Sequence, residues 1–121
     1  MSLKRLSIAA GIAASAFAAT AAHAHAKLES SEPLAGSVLA IAPKQLRLGF
    51  NEALEPAFSK IRLVDARNAE IALPRAQVDK ADPTAMIAPL PALPAGTYRV
   101  QWTTMTHDGH KTKGDFTFQV K

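Results

Sequence analysis

Three stretches of strict two-residue alternation constrain this chain most. In Gln45-Leu-Arg-Leu-Gly-Phe50, Leu46, Leu48 and Phe50 take one side while Gln45 and Arg47 take the other. Asp115-Phe-Thr-Phe-Gln-Val120 repeats the device with Phe116, Phe118 and Val120, and residues 96–104 put Tyr98, Val100 and Trp102 on one side. A period of two is the signature of a strand with one face buried and the other in water. Weaker strand candidates are Lys60–Val64, Glu70–Leu73 and Thr84–Ala88, separated by turn-forming stretches at Asp65–Asn68 and Pro89–Pro94. All 8 prolines lie from Pro33 onward, mostly between these runs, where a missing N–H removes no ladder bond. The expectation is an all-β fold, a small antiparallel β-sandwich of about seven strands with Greek-key connections.

The first two dozen residues follow a different rule. Lys4 and Arg5 precede an uncharged run from Leu6 to Ala22 that ends in small residues, the three-part pattern of a secretory signal. The run is built largely from alanine and falls short of the ~20 apolar residues that a bilayer core requires. Cleavage after a small-x-small triplet fits two places: Ala22-His23-Ala24 leaves His25 at the new N-terminus, and Ala24-His25-Ala26 leaves Lys27. We take the first, so that residues 1–24 form a cleaved signal peptide and residues 25–121 form one domain, exported and without a membrane segment of its own.

Removal of residues 1–24 takes Lys4 and Arg5 with it, leaving 12 of the 14 basic residues against all 10 acidic ones. The remaining cations are scattered, with no dense run and no interleaved aromatics, which argues against a nucleic-acid partner. The chain has 0 cysteines. Packing alone must stabilise it, and every thiolate metal site, including that of a blue-copper electron carrier, is excluded.

A second informative stretch, residues 102–114, reads as a loop between two strong strand patterns and carries His107, Asp108 and His110. Gly109 and Gly114 are expected to permit tight or positive-φ backbone. Asp108 and His110 are two apart, so in extended chain their side chains share a side. That pair alone is weak evidence for a metal and reads first as a solvated turn with an ordinary histidine. His25 as N-terminal residue adds two nitrogens, the α-amine and the imidazole. With His110 and an Asp108 oxygen the set becomes three nitrogens and one oxygen, the tetragonal donor set that Cu(II) prefers, whereas zinc would want the same groups tetrahedral. The competing reading of His25 is a frayed terminus.

The ordered set of His25-Ala-Lys-Leu-Glu-Ser-Ser-Glu-Pro33, Leu48-Gly-Phe-Asn-Glu52, Leu93-Pro-Ala-Gly-Thr-Tyr-Arg-Val-Gln-Trp102, Asp108-Gly-His110 and Gly114-Asp-Phe-Thr-Phe-Gln-Val120 resembles the CopC family of periplasmic copper-resistance proteins. The resemblance spans essentially all of residues 25–121. It implies a cupredoxin-like or immunoglobulin-like sandwich in the periplasm that holds one Cu(II) per mature chain through His25, Asp108 and His110. It also implies copper as the partner that matters, together with a CopD-like inner-membrane copper transporter or another periplasmic copper protein. Glu52 matches an acidic family position beside the site, where it would orient a ligand or serve as a surface carboxylate. His107 is a candidate peripheral ligand or proton acceptor.

Some family members carry a second, methionine-rich Cu(I) site. Here only Met86 and Met105 follow the leader, far apart and on strand-like segments, so both are expected in core or sheet packing and the Cu(I) site is expected to be absent. Three function classes result: a Cu(II) carrier or buffer, a copper-dependent oxidative enzyme of the histidine-brace type, and a metal-free immunoglobulin-like interaction module. Against the enzyme, the one Trp and one Tyr fall on the apparent core face of a strand, leaving no flat aromatic surface for a polysaccharide.

Overall fold

The computed structural model describes residues 26–121; the leader, its cleavage position and His25 lie outside the described residues. Nine strands form, in chain order β1 (Leu28–Glu32), β2 (Val38–Leu39), β3 (Gln45–Phe50), β4 (Lys60–Asp65), β5 (Glu70–Ile71), β6 (Gln77–Val78), β7 (Ala85–Pro89), β8 (Gly96–Met105) and β9 (Lys111–Val120). They build a four-stranded sheet ordered β1-β3-β7-β6 and a five-stranded sheet ordered β2-β9-β8-β4-β5. Successive strands repeatedly change sheet, from β1 to β2, β2 to β3, β3 to β4, β5 to β6 and β7 to β8, as a sandwich wound in Greek-key fashion requires.

The three alternating runs are the three principal core strands. Leu46, Leu48 and Phe50 of β3 are buried, as are Tyr98, Val100 and Trp102 of β8 and Phe116, Phe118 and Val120 of β9. Burial of each such side chain contributes on the order of 1.5–3 kcal/mol, which is how a chain with no cysteine holds together. Phe50 and Trp102 meet across the two sheets edge to face, ring centroids 5.0 Å apart, and Tyr98 stacks on Phe118 at 5.5 Å. The Tyr98 hydroxyl reaches a polar partner by donating to the Pro94 carbonyl, four residues upstream.

Several details depart from expectation. Three of the nine strands, β2, β5 and β6, are only two residues long, too short for any period to register, and β5 stops at Ile71 rather than Leu73. One pairing is parallel, β2 on β9, where an antiparallel sandwich was expected throughout. The presumed loop 102–114 is mostly strand: β8 and β9 continue their ladder through Trp102↔Gly114, Thr103↔Lys113, Thr104↔Thr112 and Met105↔Lys111, leaving only residues 106–110 as the turn. Threonines on the inward face of this ladder hide its period from a hydrophobicity reading, although their β-branched side chains suit a strand. A 3-10 turn, Pro56–Phe58, also forms where no helical segment was foreseen.

Of the two glycines in that stretch, Gly109 does adopt positive φ, at 86°. Gly114 does not, and its role is steric. A Cβ there would lie 2.4 Å from the Trp102 ring, so the absent side chain is what lets the indole lie across the neighbouring strand.

Candidate metal centre

Three segments gather at one end of the sandwich. β1 begins where β3 ends, with Leu28 opposite Phe50. The chain leaving β3 then turns along the β8–β9 hairpin, where Glu55 N–H donates to the Met105 carbonyl at 2.8 Å and Leu54 bridges Thr106. Ahead of β1, the chain is pinned from both sides. Lys27 N–H donates to Asn51 Oδ1 at 2.7 Å, Asn51 N–H donates to the Lys27 carbonyl at 3.2 Å, and the Thr112 hydroxyl donates to the Ala26 carbonyl at 3.0 Å. Ala26 is itself buried in the core.

This end is also where the interior turns polar. The inward period of β8 runs on from Trp102 to Thr104 and Thr106, and Ser59, Thr104 and Thr106 are the buried polar residues among those described. Each has a use. Thr104 and Thr112 share a hydroxyl hydrogen bond of 2.7 Å across the hairpin, Ser59 Oγ accepts from Met105 N–H at 3.3 Å, and Thr106 Oγ1 donates to Asp108 Oδ1. None was singled out in the sequence; a threonine at every second position after Trp102 was the available signal.

Asp108 and His110 are brought together, and they touch. Asp108 Oδ2 lies 2.9 Å from His110 Nδ1, while Oδ1 also accepts from His110 N–H at 3.4 Å. The Thr106 hydroxyl and then the His110 contacts hold the Asp108 carboxyl at about 2, below its ordinary 3.8. The carboxylate is therefore anionic throughout the neutral range, and half-exposed, as a cation donor should be.

His107 turns elsewhere. Its Nδ1 pairs with Glu55 Oε1, an acidic partner not anticipated from sequence. Glu52, Ala53, Thr106, His107 and Asp108 line a shallow depression of about 330 Å³, and Glu52 Oε2 is buried there without a hydrogen-bond partner among the described residues. Among the described residues no three His, Asp or Glu side chains converge as a metal-holding group. Met86 is fully buried in the core on β7, whereas Met105 is half-buried on the outward face of β8 in the other sheet.

The CopC domain profile matches residues 28–121. The chain belongs to the CopC family. Copper resistance protein C of Pseudomonas syringae pv. tomato is 38% identical to it over an alignment covering 100% of both chains. Two crystal structures share the fold. CopC from Methylosinus trichosporium matches with a TM-score of 0.76 at 29% identity, covering 80% of this chain and 94% of that one. PcoC, a methionine-rich copper resistance protein from Escherichia coli, matches with a TM-score of 0.72 at 38% identity over 81% of this chain and 100% of its own. The CopC family comprises copper-binding resistance proteins rather than enzymes, which removes the histidine-brace oxidase from the readings above. In contrast to the methionine-rich PcoC, this CopC chain has 3 methionines, one of them Met1.

Proposed function

We propose that this CopC protein is a periplasmic Cu(II) carrier or buffer. One ion is held by the amine and imidazole of His25, exposed by cleavage after Ala24, together with Asp108 and His110. The observation that carries this reading is the hydrogen bond from Thr112 to the Ala26 carbonyl. Ala26 follows His25 directly, and Thr112 lies two residues beyond His110 on β9, about 6.8 Å of strand. The chain that carries His25 is thus tied to the same hairpin that presents the Asp108–His110 pair. Three nitrogens and one ionised oxygen suit Cu(II) and give a soft Cu(I) ion little to hold it. Glu52, with its unpartnered oxygen in the adjoining depression, would orient a ligand from outside.

The carrier role is supported by the half-exposed carboxylate and imidazole on a hairpin tip, from which an ion can be collected or surrendered. Among the described residues no helix is long and apolar enough to cross a membrane. Delivery would then be to or from a membrane copper transporter of the CopD type or another periplasmic copper protein. The test is an electron paramagnetic resonance spectrum of exported protein, confirmed to begin at His25, with one equivalent of Cu(II). A tetragonal signal coupled to three nitrogens is expected. Loosely bound or aqueous copper would overturn the site and leave the metal-free interaction module.

A further inference from the structure

The outer face of the five-stranded sheet neutralises its cations along its middle and leaves them bare at the end that bears the Asp108–His110 turn. Along the middle, Arg62 pairs with Glu70 at 3.0 Å and Arg99 with Asp115 at 3.2 Å. Toward the turn stand Lys60 on β4 and Lys111 and Lys113 on β9, all exposed, and none has an ion-pair partner among the described residues. Lys60 and Lys113 flank Thr103 from opposite sides in the same register row. Neighbouring strands about 4.8 Å apart, with about 6.8 Å between alternate residues on β9, put the three backbone positions within roughly a Debye length of one another. Their charges therefore add into a local positive field rather than being screened singly.

The same residues border a depression of about 520 Å³ with Thr103 and Thr112 in its lining and Phe58 at its margin, the latter 57% exposed. An exposed aromatic ring and apolar lysine stems lining one depression, with the lysine charges at the surface, have the make-up of a protein-binding patch. Lys111 directly follows His110, so whatever settles here is held beside the hairpin tip.

We propose that this patch docks a protein surface rich in Asp and Glu, and that the docked protein is the one exchanging copper with the Asp108–His110 end. The second half of the statement rests on the carrier reading above; the first does not. Charge complementarity selects the occupant. Three ammonium groups without ion-pair partners among the described residues, bordering a depression that an exposed aromatic ring also lines, fit a carboxylate-bearing surface, while nucleic acid would call for a longer cationic track with stacking platforms.

The test uses metal-free, isotope-labelled protein titrated with a hexaglutamate peptide at low salt, with backbone amide shifts as the readout. Shifts should concentrate at Phe58, Lys60, Thr103, Lys111 and Lys113. The triple variant Lys60→Gln/Lys111→Gln/Lys113→Gln should bind the peptide about tenfold more weakly, each surface charge contributing a modest share. Shifts spread equally over Lys27, Lys44, Lys80 and Lys121, or unchanged affinity in the variant, would overturn the proposal. So would phosphatidylglycerol vesicles that occupy the patch more tightly than the peptide, which would make it a lipid-binding surface. Copper plays no part in this titration. A failed Cu(II) spectrum would remove the carrier reading while leaving the docking map to stand or fall by itself.

Discussion

The Thr112 hydroxyl bridges the hairpin to the start of the domain, donating to the Ala26 carbonyl at 3.0 Å while sharing a hydrogen bond with Thr104 at 2.7 Å. Thr112→Val keeps the shape and removes both. The loss leaves a buried carbonyl and a buried hydroxyl short of a partner, which costs about 1–3 kcal/mol. Denaturant unfolding of the metal-free protein should show that loss. Cu(II) affinity should fall as well, because the segment after His25 is no longer tied to the hairpin; unchanged affinity would separate the two ends of the proposed site.

An added glycine before His25 should remove the α-amine from the chelate without touching the fold. The expected result is a drop in Cu(II) affinity beyond the about 10- to 100-fold typical of losing an outer partner of a ligand, with the metal-free unfolding curve unaltered. His110→Ala should match it. Competition titration against a chelator of known strength reads both, and full affinity in the extended protein would rule out the terminal amine as a donor.

His107 pairs with Glu55, whereas Asp108 and His110 pair with each other. His107→Ala should therefore preserve the three-nitrogen pattern in the copper spectrum. A spectrum reduced to two nitrogens would make His107 a ligand after all.

Gly114→Ala places a methyl group against the Trp102 ring, at 2.4 Å from the nearest atom before relaxation. Overpacking of this kind destabilises by about 1–3 kcal/mol. The fluorescence of Trp102, the 1 tryptophan in the chain, reports both the shifted unfolding midpoint and the altered indole surroundings. An unshifted midpoint would mean that the ring has another place to go.

Acid sensitivity should follow the carboxylates that the fold holds below their ordinary 3.8. Asp79 is lowered chiefly by the Ala81 N–H and then by Arg47, Asp82 by the Thr84 hydroxyl and N–H, and Asp108 to about 2 by Thr106 and then His110. A depressed folded pKa stabilises fully above the unfolded value and is lost as pH falls through the folded one. Metal-free stability should thus be insensitive to these groups near neutrality and decline below about pH 4. Asp79→Asn/Asp82→Asn should make that decline shallower in urea unfolding measured across the acid range. Copper release is expected at higher pH than this, since protons compete with the metal for the proposed nitrogen donors.

Alternation in residues 45–50, 96–102 and 115–120 was sufficient to place the core, because burying one face of a strand demands a period of two whatever the topology. Asp108 and His110 were legible as a pair from their closeness in sequence, but the extended chain assumed for them is in fact a turn through Gly109 at positive φ. The two-residue strands, the parallel β2–β9 pairing and the continuation of the hairpin through Thr104 and Thr112 were not legible. Backbone pairing carries them, and pairing depends on which distant segment lies alongside. The same holds for Gly114, whose purpose appears only when Trp102 lies across from it, and for His107, whose partner Glu55 is 52 residues away. Residue chemistry and the family resemblance together proposed the donors. What only the tertiary structure decided is that Ala26, Asn51 and Thr112 are neighbours, since hydrogen bonds between segments far apart in the chain exist only after the two sheets have closed on their common core.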